Sequence, residues 1–279
     1  MRIPILDNHI HLQPSGRNLD ALREFRKAGG THAILVHLPY DEVEVVDELS
    51  FERSFDITVN IANKARKEVD VDLHVVVGPY PALLIPLAER YGLKRAVEIM
   101  KGGMEIAQKF VREQKAIGIG EIGRPHFTID EEILRASNDI LLYGMELAAE
   151  IDCPVILHTE SVTPETMKEI ASMADVAGLK RENVVKHYCP PLVLPEENHG
   201  LFPSVLASRE AIKEAIRKGR RFFMETDYLD DPSRPGAVMA ITTVPKRCHS
   251  FLQSGVFTED DLWQIHKENP ERIYGITVE

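Results

Sequence analysis

The chain has 279 residues, 44% of them hydrophobic, and a formal net charge of −11 from 33 basic and 44 acidic side chains. This composition excludes a disordered or low-complexity protein, and the length suits one α/β barrel of about 250 residues. The acidic balance argues against tight non-specific binding of nucleic acid unless a local basic patch overrides it.

Three cysteines, Cys153, Cys189 and Cys248, are widely spaced and form no C-x-x-C pair. This spacing predicts neither a disulfide framework nor a zinc knuckle, and it fits a reducing cytoplasm. The N-terminus lacks the basic and apolar segments of a signal peptide, and no apolar run approaches the roughly 18 residues of a membrane helix. We therefore expect a cytoplasmic protein with no membrane span.

Short apolar runs alternate with longer segments of helical periodicity, a pattern typical of βαβ units and a parallel sheet. Strands are predicted at residues 3–6, 32–38, 73–77, 116–121, 154–158, 183–187, 201–207 and 221–227. Helices are predicted at residues 19–28, 55–69, 93–114, 130–150, 164–177, 208–218, 258–266 and 270–274. Eight strands in alternation with helices predict one (β/α)8 TIM-barrel domain over residues 1–279.

Three stretches are harder to assign. The crossover between residues 78 and 115 is broken by Pro81 and Pro86, and its length makes it a candidate for an extra loop over the site. The prolines between residues 190 and 200 leave no room for a regular helix. Residues Gly236–Val244 are apolar and β-branched, so they could form a further strand that would shift the count by one.

His9 and His11 form an H-x-H pair at the end of the first predicted strand. Because side chains alternate along a strand, both imidazoles point to the same face, where they can share one metal ion. Such a pair also arises by chance, so the interpretation depends on the residues downstream.

Functional side chains gather at the C-terminal ends of the strands in a barrel of this kind. Ionisable residues recur at those predicted ends: His9, His11, Glu121, His158, His187 and Asp227. Each alone has a structural explanation, such as a satisfied histidine, a loop cap or an ion pair. Together, four imidazoles and two carboxylates suit Zn²⁺ best, with Mn²⁺ and Mg²⁺ as alternatives. Six ligands would serve two divalent ions that share a bridging carboxylate.

Six motifs spread over nearly the whole chain strengthen this interpretation. They are HIH at 9–11, GIGEIG at 118–123, LHT at 157–159, His187, ETD at 225–227 and NPERIYG at 269–275. Together they resemble the TatD-related metal-dependent hydrolases of the amidohydrolase superfamily.

The resemblance implies a role for each matched residue. His9 and His11 would bind one metal ion and His158 and His187 the other, while Glu121 would bridge the two. Asp227 would contact the first ion and act as general base. The substrate implied by the family is DNA or another phosphodiester.

Two loops depart from the family pattern and indicate a divergent subgroup. His187 is followed by Tyr-Cys-Pro-Pro where the family has Cys/Ser-Phe-Ser-Gly, and Gly123 is followed by Arg124-Pro125-His126 instead of an apolar-acidic pair. We predict that Arg124 and His126 contact the substrate, because a guanidinium matches phosphate oxygens. Lys186, next to a ligand on its strand, is expected to face outward.

Three functions stay open at this point. The leading one is a binuclear hydrolase that cleaves phosphodiesters, including DNA ends. The second is hydrolysis of a small amide, lactone or phosphate ester, which the acidic net charge favours. The third is a catalytically silent metal-binding scaffold, although all six ligand positions are intact. A positive groove at the barrel mouth would favour nucleic acid, and a closed, partly apolar pocket would favour a small substrate.

Overall fold

A computed structural model of the chain describes residues 3–234 and 237–279. Its strands are β1 (Leu6–His11), β2 (His32–Val36), β3 (Asp72–Val77), β4 (Gly118–Gly123), β5 (Val155–His158), β6 (Val184–Cys189), β7 (Phe202–Leu206), β8 (Phe223–Glu225) and β9 (Tyr228–Leu229). They form one parallel sheet in the order β8-β7-β6-β5-β4-β3-β2-β1-β9. β8 pairs with β7, and β9, which follows after two intervening residues, pairs with β1, so the sheet curls into a barrel. The predicted fold class is confirmed, with the last strand split in two.

Helices surround the sheet. They are α1 (Leu19–Ala28), α2 (Glu48–Glu68), α3 (Leu84–Tyr91), α4 (Leu93–Arg112), α5 (Glu131–Glu150), α6 (Pro164–Ala177), α7 (Pro195–Asn198), α8 (Arg209–Lys218), α9 (Thr243–Gln253), α10 (Glu259–Trp263) and α11 (Asn269–Tyr274). Side-chain caps start several of them: Asp130 accepts a hydrogen bond from the amide of Ile133, and Thr163 from that of Thr166. Among the described residues, none of these helices combines the length and apolar composition required to cross a bilayer.

The core has an inner and an outer layer because strand side chains alternate between the two faces of the sheet. Ile34 and Val36 of β2 belong to a cluster inside the barrel, whereas Ala33 and Leu35 pack in the cluster that joins the sheet to the helices. Because side chains fill the interior of the barrel, a functional site has room at the rim.

Several predicted boundaries need correction. β1 begins at Leu6, so His9 and His11 lie within the strand and not after it. α2 begins at Glu48, well before the predicted residue 55, because Asp47 caps it by accepting a hydrogen bond from the amide of Ser50 at 2.8 Å. Pro86 does not break the crossover: it is the third residue of α3, where a backbone N–H has no intrahelical partner to lose.

One further expectation was wrong, and one alternative that the sequence left open is decided. A short helix, α7, does form among the prolines, with Pro195 at its first position, where the fixed φ of proline is favourable. In the stretch proposed as a further strand, Gly236 lies outside the described residues. Residues 237–242 are irregular, and Thr243 already begins α9.

Candidate metal centre

Six side chains predicted as ligands converge at the C-terminal rim of the barrel. The first trio consists of His9 and His11 from β1 and Asp227 from the break between β8 and β9. Nε2 of His9 lies 3.1 Å from Nε2 of His11, and Oδ1 of Asp227 lies 3.4 Å from His11 Nε2 and 3.9 Å from His9 Nε2. These three residues could hold a metal ion together.

The second trio consists of Glu121 from β4, His158 from β5 and His187 from β6. Oε1 of Glu121 lies 3.1 Å from His158 Nδ1 and 2.9 Å from His187 Nε2, and these two nitrogens are 3.2 Å apart. The same Oε1 is 3.3 Å from Nε2 of His9. One carboxylate oxygen therefore borders both trios.

The donor set fits divalent ions. Ligand atoms held 2.0–2.1 Å from a tetrahedral ion lie about 3.3 Å from one another, close to the separations within each trio. Two imidazole nitrogens that face each other at hydrogen-bond distance, as in His9 and His11, also leave lone pairs that a cation can satisfy. His11 is oriented for this by its other nitrogen, since Nδ1 lies 2.9 Å from the carbonyl oxygen of Val36.

Irregular pairing between strands directs three of these side chains towards the centre. β1, β4 and β6 each have one short stretch with one residue more than the strand they pair with. These stretches lie between Asp7 and Ile10 in β1, between Gly120 and Ile122 in β4, and between Lys186 and Cys189 in β6. His9, Glu121 and His187 lie within these three stretches. β-Bulges redirect side chains and are frequent next to active sites, so the bulges account for the convergence of side chains from three strands.

Asp227 reaches the site through the interruption of the last strand. Its backbone has φ of +49°, in the left-handed region that aspartate tolerates better than most residues. This conformation separates β8 from β9 and turns the carboxylate towards His11.

Burial and neighbouring charges act in opposite directions on the ionisation of the centre. Burial raises the pKa of Glu121, but the adjacent His158 and His187 outweigh it and hold that pKa well below its usual range. Burial lowers the pKa of His187, yet Glu121 and Glu225 raise it to about 10. The pKa of Asp227 is likewise lowered, because the hydrogen bond with His11 and the neighbouring imidazoles outweigh burial. Both carboxylates are thus held in the anionic form that binds cations.

The centre opens into a cavity of about 340 Å³. Its lining residues are His126, His158, Thr159, Glu160, Ser161, His187, Tyr188 and Asp227. A second hollow of about 490 Å³ is lined by residues that include Gln13, Asp41, Tyr80, Asp231 and Arg234. The ring of Tyr80 also packs edge-on against His158, with centroids 5.2 Å apart, so it borders both the metal centre and the second hollow.

Comparison with known proteins agrees with this geometry. Residues 6–275 match the model of a family described as TatD related DNase. The chain belongs to the TatD family. A protein of Methanocaldococcus jannaschii described as uncharacterised is 40% identical over 280 residues, which cover 99% of this chain and 98% of that protein. The resemblance inferred from the motifs is confirmed.

Solved structures share the barrel of this TatD-family protein. The phosphotriesterase homology protein from Escherichia coli, complexed with phosphate in its active site, has a TM-score of 0.67 at 14% identity, covering 98% of this chain and 99% of that one. The TatD homologue YJJV from Escherichia coli has a TM-score of 0.66 at 18% identity, covering 99% and 100%. The TatD-like protein from Archaeoglobus fulgidus has a TM-score of 0.63 at 16% identity, covering 97% and 100%. At these identities the likeness shows the fold.

The two predicted substrate contacts of the TatD-family protein lie in different surroundings. His126 is exposed on the cavity wall, and its Nδ1 is 2.9 Å from His158 Nε2. Arg124 is buried and donates hydrogen bonds to Asn138 at 2.6 Å, to Glu160 at 3.0 Å and to Glu169. The guanidinium therefore connects α5 and α6 with the segment after β5, and its predicted contact with the substrate stays a prediction.

Two neighbours of His187 differ from expectation or were missed. Lys186 was expected to face outward as a solvated charge, but it is only 1% exposed and donates a hydrogen bond to the carbonyl oxygen of His187. Burial lowers the pKa of its ammonium group. Glu225 was assigned no role, although it is fully buried beside His187. Its position two residues before Asp227, in the ETD motif, was the signal available in the sequence.

Proposed function

We propose that this protein is a binuclear metal-dependent phosphodiesterase that acts on the ends of DNA strands or on similar short phosphodiesters. The TatD-family barrel and its cluster of histidines and carboxylates support metal-dependent hydrolysis. The observation that carries the binuclear assignment is the position of Glu121 Oε1, within 3.3 Å of a nitrogen from each trio.

In this proposal the first trio and the second trio would each hold one ion, and Glu121 would be shared between them. The four imidazole nitrogens of the site favour Zn²⁺, and its two carboxylates also suit Mn²⁺. Bound ions would lower the pKa of a water molecule from about 15.7 towards 7 and neutralise charge that develops on the substrate.

Asp227 is the proposed proton acceptor. Its carboxylate lines the cavity and is anionic, so it can take the proton of the attacking water. Its Oδ1 lies 3.4 Å from Nε2 of His11, so the carboxylate borders the first trio. The neutral donors on the cavity wall, Ser161 and His126, are placed to orient the oxygens of the phosphate.

The size and charge of the mouth favour a short or terminal substrate over a long duplex. A cavity of about 340 Å³ accommodates a small unit, and Tyr188, 47% exposed on its wall, offers a ring on which a base can stack. The cations of Arg124 and Arg234 are already paired with Glu160 and Asp231. Few phosphates could therefore be neutralised at once, which is what binding along a duplex requires.

A second candidate is hydrolysis of a small ester, lactone or phosphate ester. It is favoured by the charges around the two hollows, where Arg124 and Arg234 are already paired with Glu160 and Asp231 and Asp41 adds a further carboxylate. Such a mouth gives a polyanion little electrostatic attraction. The same proton acceptor and the same donor set would serve attack on a carbonyl carbon.

A substrate panel separates these functions. Purified protein is stripped with a chelator, reloaded with Zn²⁺ or Mn²⁺, and assayed on end-labelled single strands, blunt duplexes, circular single strands, bis(p-nitrophenyl) phosphate and a set of lactones and esters. We expect cleavage of linear single strands from an end, with circular strands resistant. Cleavage of lactones or esters alone would favour the second candidate. Fewer than one ion bound per chain would overturn the metal centre itself, whereas two bound ions without any hydrolysis would indicate a silent scaffold.

A further inference from the structure

Glu225 is a buried carboxylate that touches two consecutive residues of β6. Its Oε1 accepts a hydrogen bond from the backbone amide of Tyr188 at 2.6 Å and lies 3.4 Å from Nδ1 of His187. Its other oxygen accepts a hydrogen bond from the hydroxyl of Ser204. One of the two β6 residues is a ligand in the second trio, and the other lines the cavity.

The imidazole of His187 needs a partner of this kind. Its Nε2 faces Glu121 and His158, which leaves Nδ1 to carry the hydrogen when Nε2 binds a metal ion. Nδ1 is buried and has no partner of good hydrogen-bond geometry among the described residues, and the carboxylate of Glu225 lies 3.4 Å away. A carboxylate beside the second nitrogen fixes the tautomer and ring orientation of a metal-binding histidine.

Tyr188 depends on the same carboxylate. Its backbone has φ of +51°, a left-handed conformation that a bulky residue adopts only when its surroundings enforce it. The hydrogen bond from its amide to Glu225 supplies that constraint. The side chain is thereby held on the cavity wall, directly after the metal ligand.

We propose that Glu225 is a positioning residue that holds His187 as an Nε2 ligand and Tyr188 as part of the cavity wall. The inference rests on the proposed metal centre. In this proposal Glu225 supports the metal centre and is not one of its ligands, because its carboxylate already accepts hydrogen bonds from Ser204 and Tyr188.

The orientation of Glu225 is itself fixed from the opposite side. The hydroxyl of Ser204 accepts a hydrogen bond from Asn8 Nδ2 at 3.0 Å, and Asn8 Oδ1 accepts one from the hydroxyl of Tyr274 at 2.9 Å. All of these residues are buried. The chain of hydrogen bonds provides a control, because Tyr274→Phe removes one buried hydrogen bond at the end remote from the metal centre.

The test compares metal affinity and histidine tautomer in Glu225→Gln and Glu225→Met. Zn²⁺ affinity is measured on the full chain by competition with a chromophoric chelator, and the tautomer of His187 by long-range ¹⁵N–¹H NMR. Glutamine retains a neutral acceptor and methionine removes it. We expect the weaker of the two ions to bind about 10-fold less tightly in Glu225→Gln and about 100-fold less tightly in Glu225→Met. The Nδ1–H form of His187 should decline in the same order.

The control variant Tyr274→Phe should lower the melting temperature of the apoprotein while both affinities stay within twofold of wild type. Unchanged affinities and an unchanged His187 tautomer in Glu225→Gln would overturn the proposal, even if Glu225→Met does not fold. These outcomes differ from failure of the binuclear assignment, in which the wild-type protein itself would bind fewer than two ions.

Discussion

Both carboxylate oxygens of Asp7 accept hydrogen bonds from Thr226. The backbone amide of Thr226 donates to Oδ1 at 3.0 Å, and its hydroxyl donates to Oδ2 at 2.7 Å. Oδ1 also accepts a hydrogen bond from the amide of His9 at 3.2 Å. A single buried side chain therefore joins β1 to the break in the last strand, and it fixes the positions of His9 and Asp227 relative to each other.

Removal of the Thr226 hydroxyl should weaken both the fold and the site. Thr226→Val keeps the shape of the side chain but leaves a buried carboxylate oxygen without its donor, so we expect a loss of about 1–3 kcal/mol in the free energy of unfolding. The rate of hydrolysis should also fall as Asp227 shifts. Urea unfolding and steady-state kinetics provide the measurements. Thr226→Ser, which retains the hydroxyl, should stay close to wild type; equal losses in both variants would contradict the role of this hydrogen bond.

Asp227 is expected to carry the proton transfer. Asp227→Asn retains an oxygen that can bind a metal ion but loses the base, so kcat should fall by about 10²–10⁴ with a small change in KM. The assay uses bis(p-nitrophenyl) phosphate, and elemental analysis of the same sample checks that the metal content is retained. A variant that keeps its metal and more than a third of wild-type kcat would exclude Asp227 as general base.

The pH dependence of stability should contain a contribution from His266, which is remote from the metal centre. This histidine is fully buried, with Nδ1 3.0 Å from the carbonyl oxygen of Leu6 and Nε2 3.1 Å from Sγ of Cys248. Burial lowers its pKa from 6.5 to about 4. The neutral form is therefore favoured in the folded state. Its contribution to stability is complete above pH 6.5 and is lost as the pH falls towards 4, which amounts to about 3 kcal/mol.

Urea unfolding of the wild type and of His266→Asn between pH 7 and pH 4 measures this contribution. Asparagine retains a donor for the carbonyl of Leu6 and does not titrate. We expect the difference in stability between the two proteins to shrink by about 3 kcal/mol as the pH is lowered through this window. A difference that is independent of pH would show that His266 does not titrate with a depressed pKa.

Arg124 and His126 should respond to mutation in opposite ways. Arg124→Gln breaks the hydrogen bonds to Glu160 and Glu169, whose side chains are partly exposed and can be rehydrated, so we expect about 1–3 kcal/mol of destabilisation with KM unchanged. His126→Gln should raise KM severalfold with little effect on unfolding. Thermal unfolding measures the stability of both variants, and steady-state kinetics on one substrate measure their KM. A raised KM in Arg124→Gln at unchanged stability would support Arg124 as a substrate contact instead.

The sequence alone determined the barrel and the identity of the residues at its rim. Alternating hydrophobic runs and helical segments predict the fold, and each candidate ligand lies at or near the end of such a run, as in His158 after Val155-Ile156-Leu157. These are local patterns that depend on residues close together in the chain.

Only the tertiary structure decided where those side chains point and which charges are already paired. The bulges that carry His9, Glu121 and His187 depend on the register with the neighbouring strand, and a shift of one residue moves a side chain to the other face of the sheet. The pairing of Arg124 with Glu169 and the contact of Glu225 with His187 likewise join residues 45 and 38 positions apart. Such contacts form when elements pack against one another, so no local pattern in the chain encodes them.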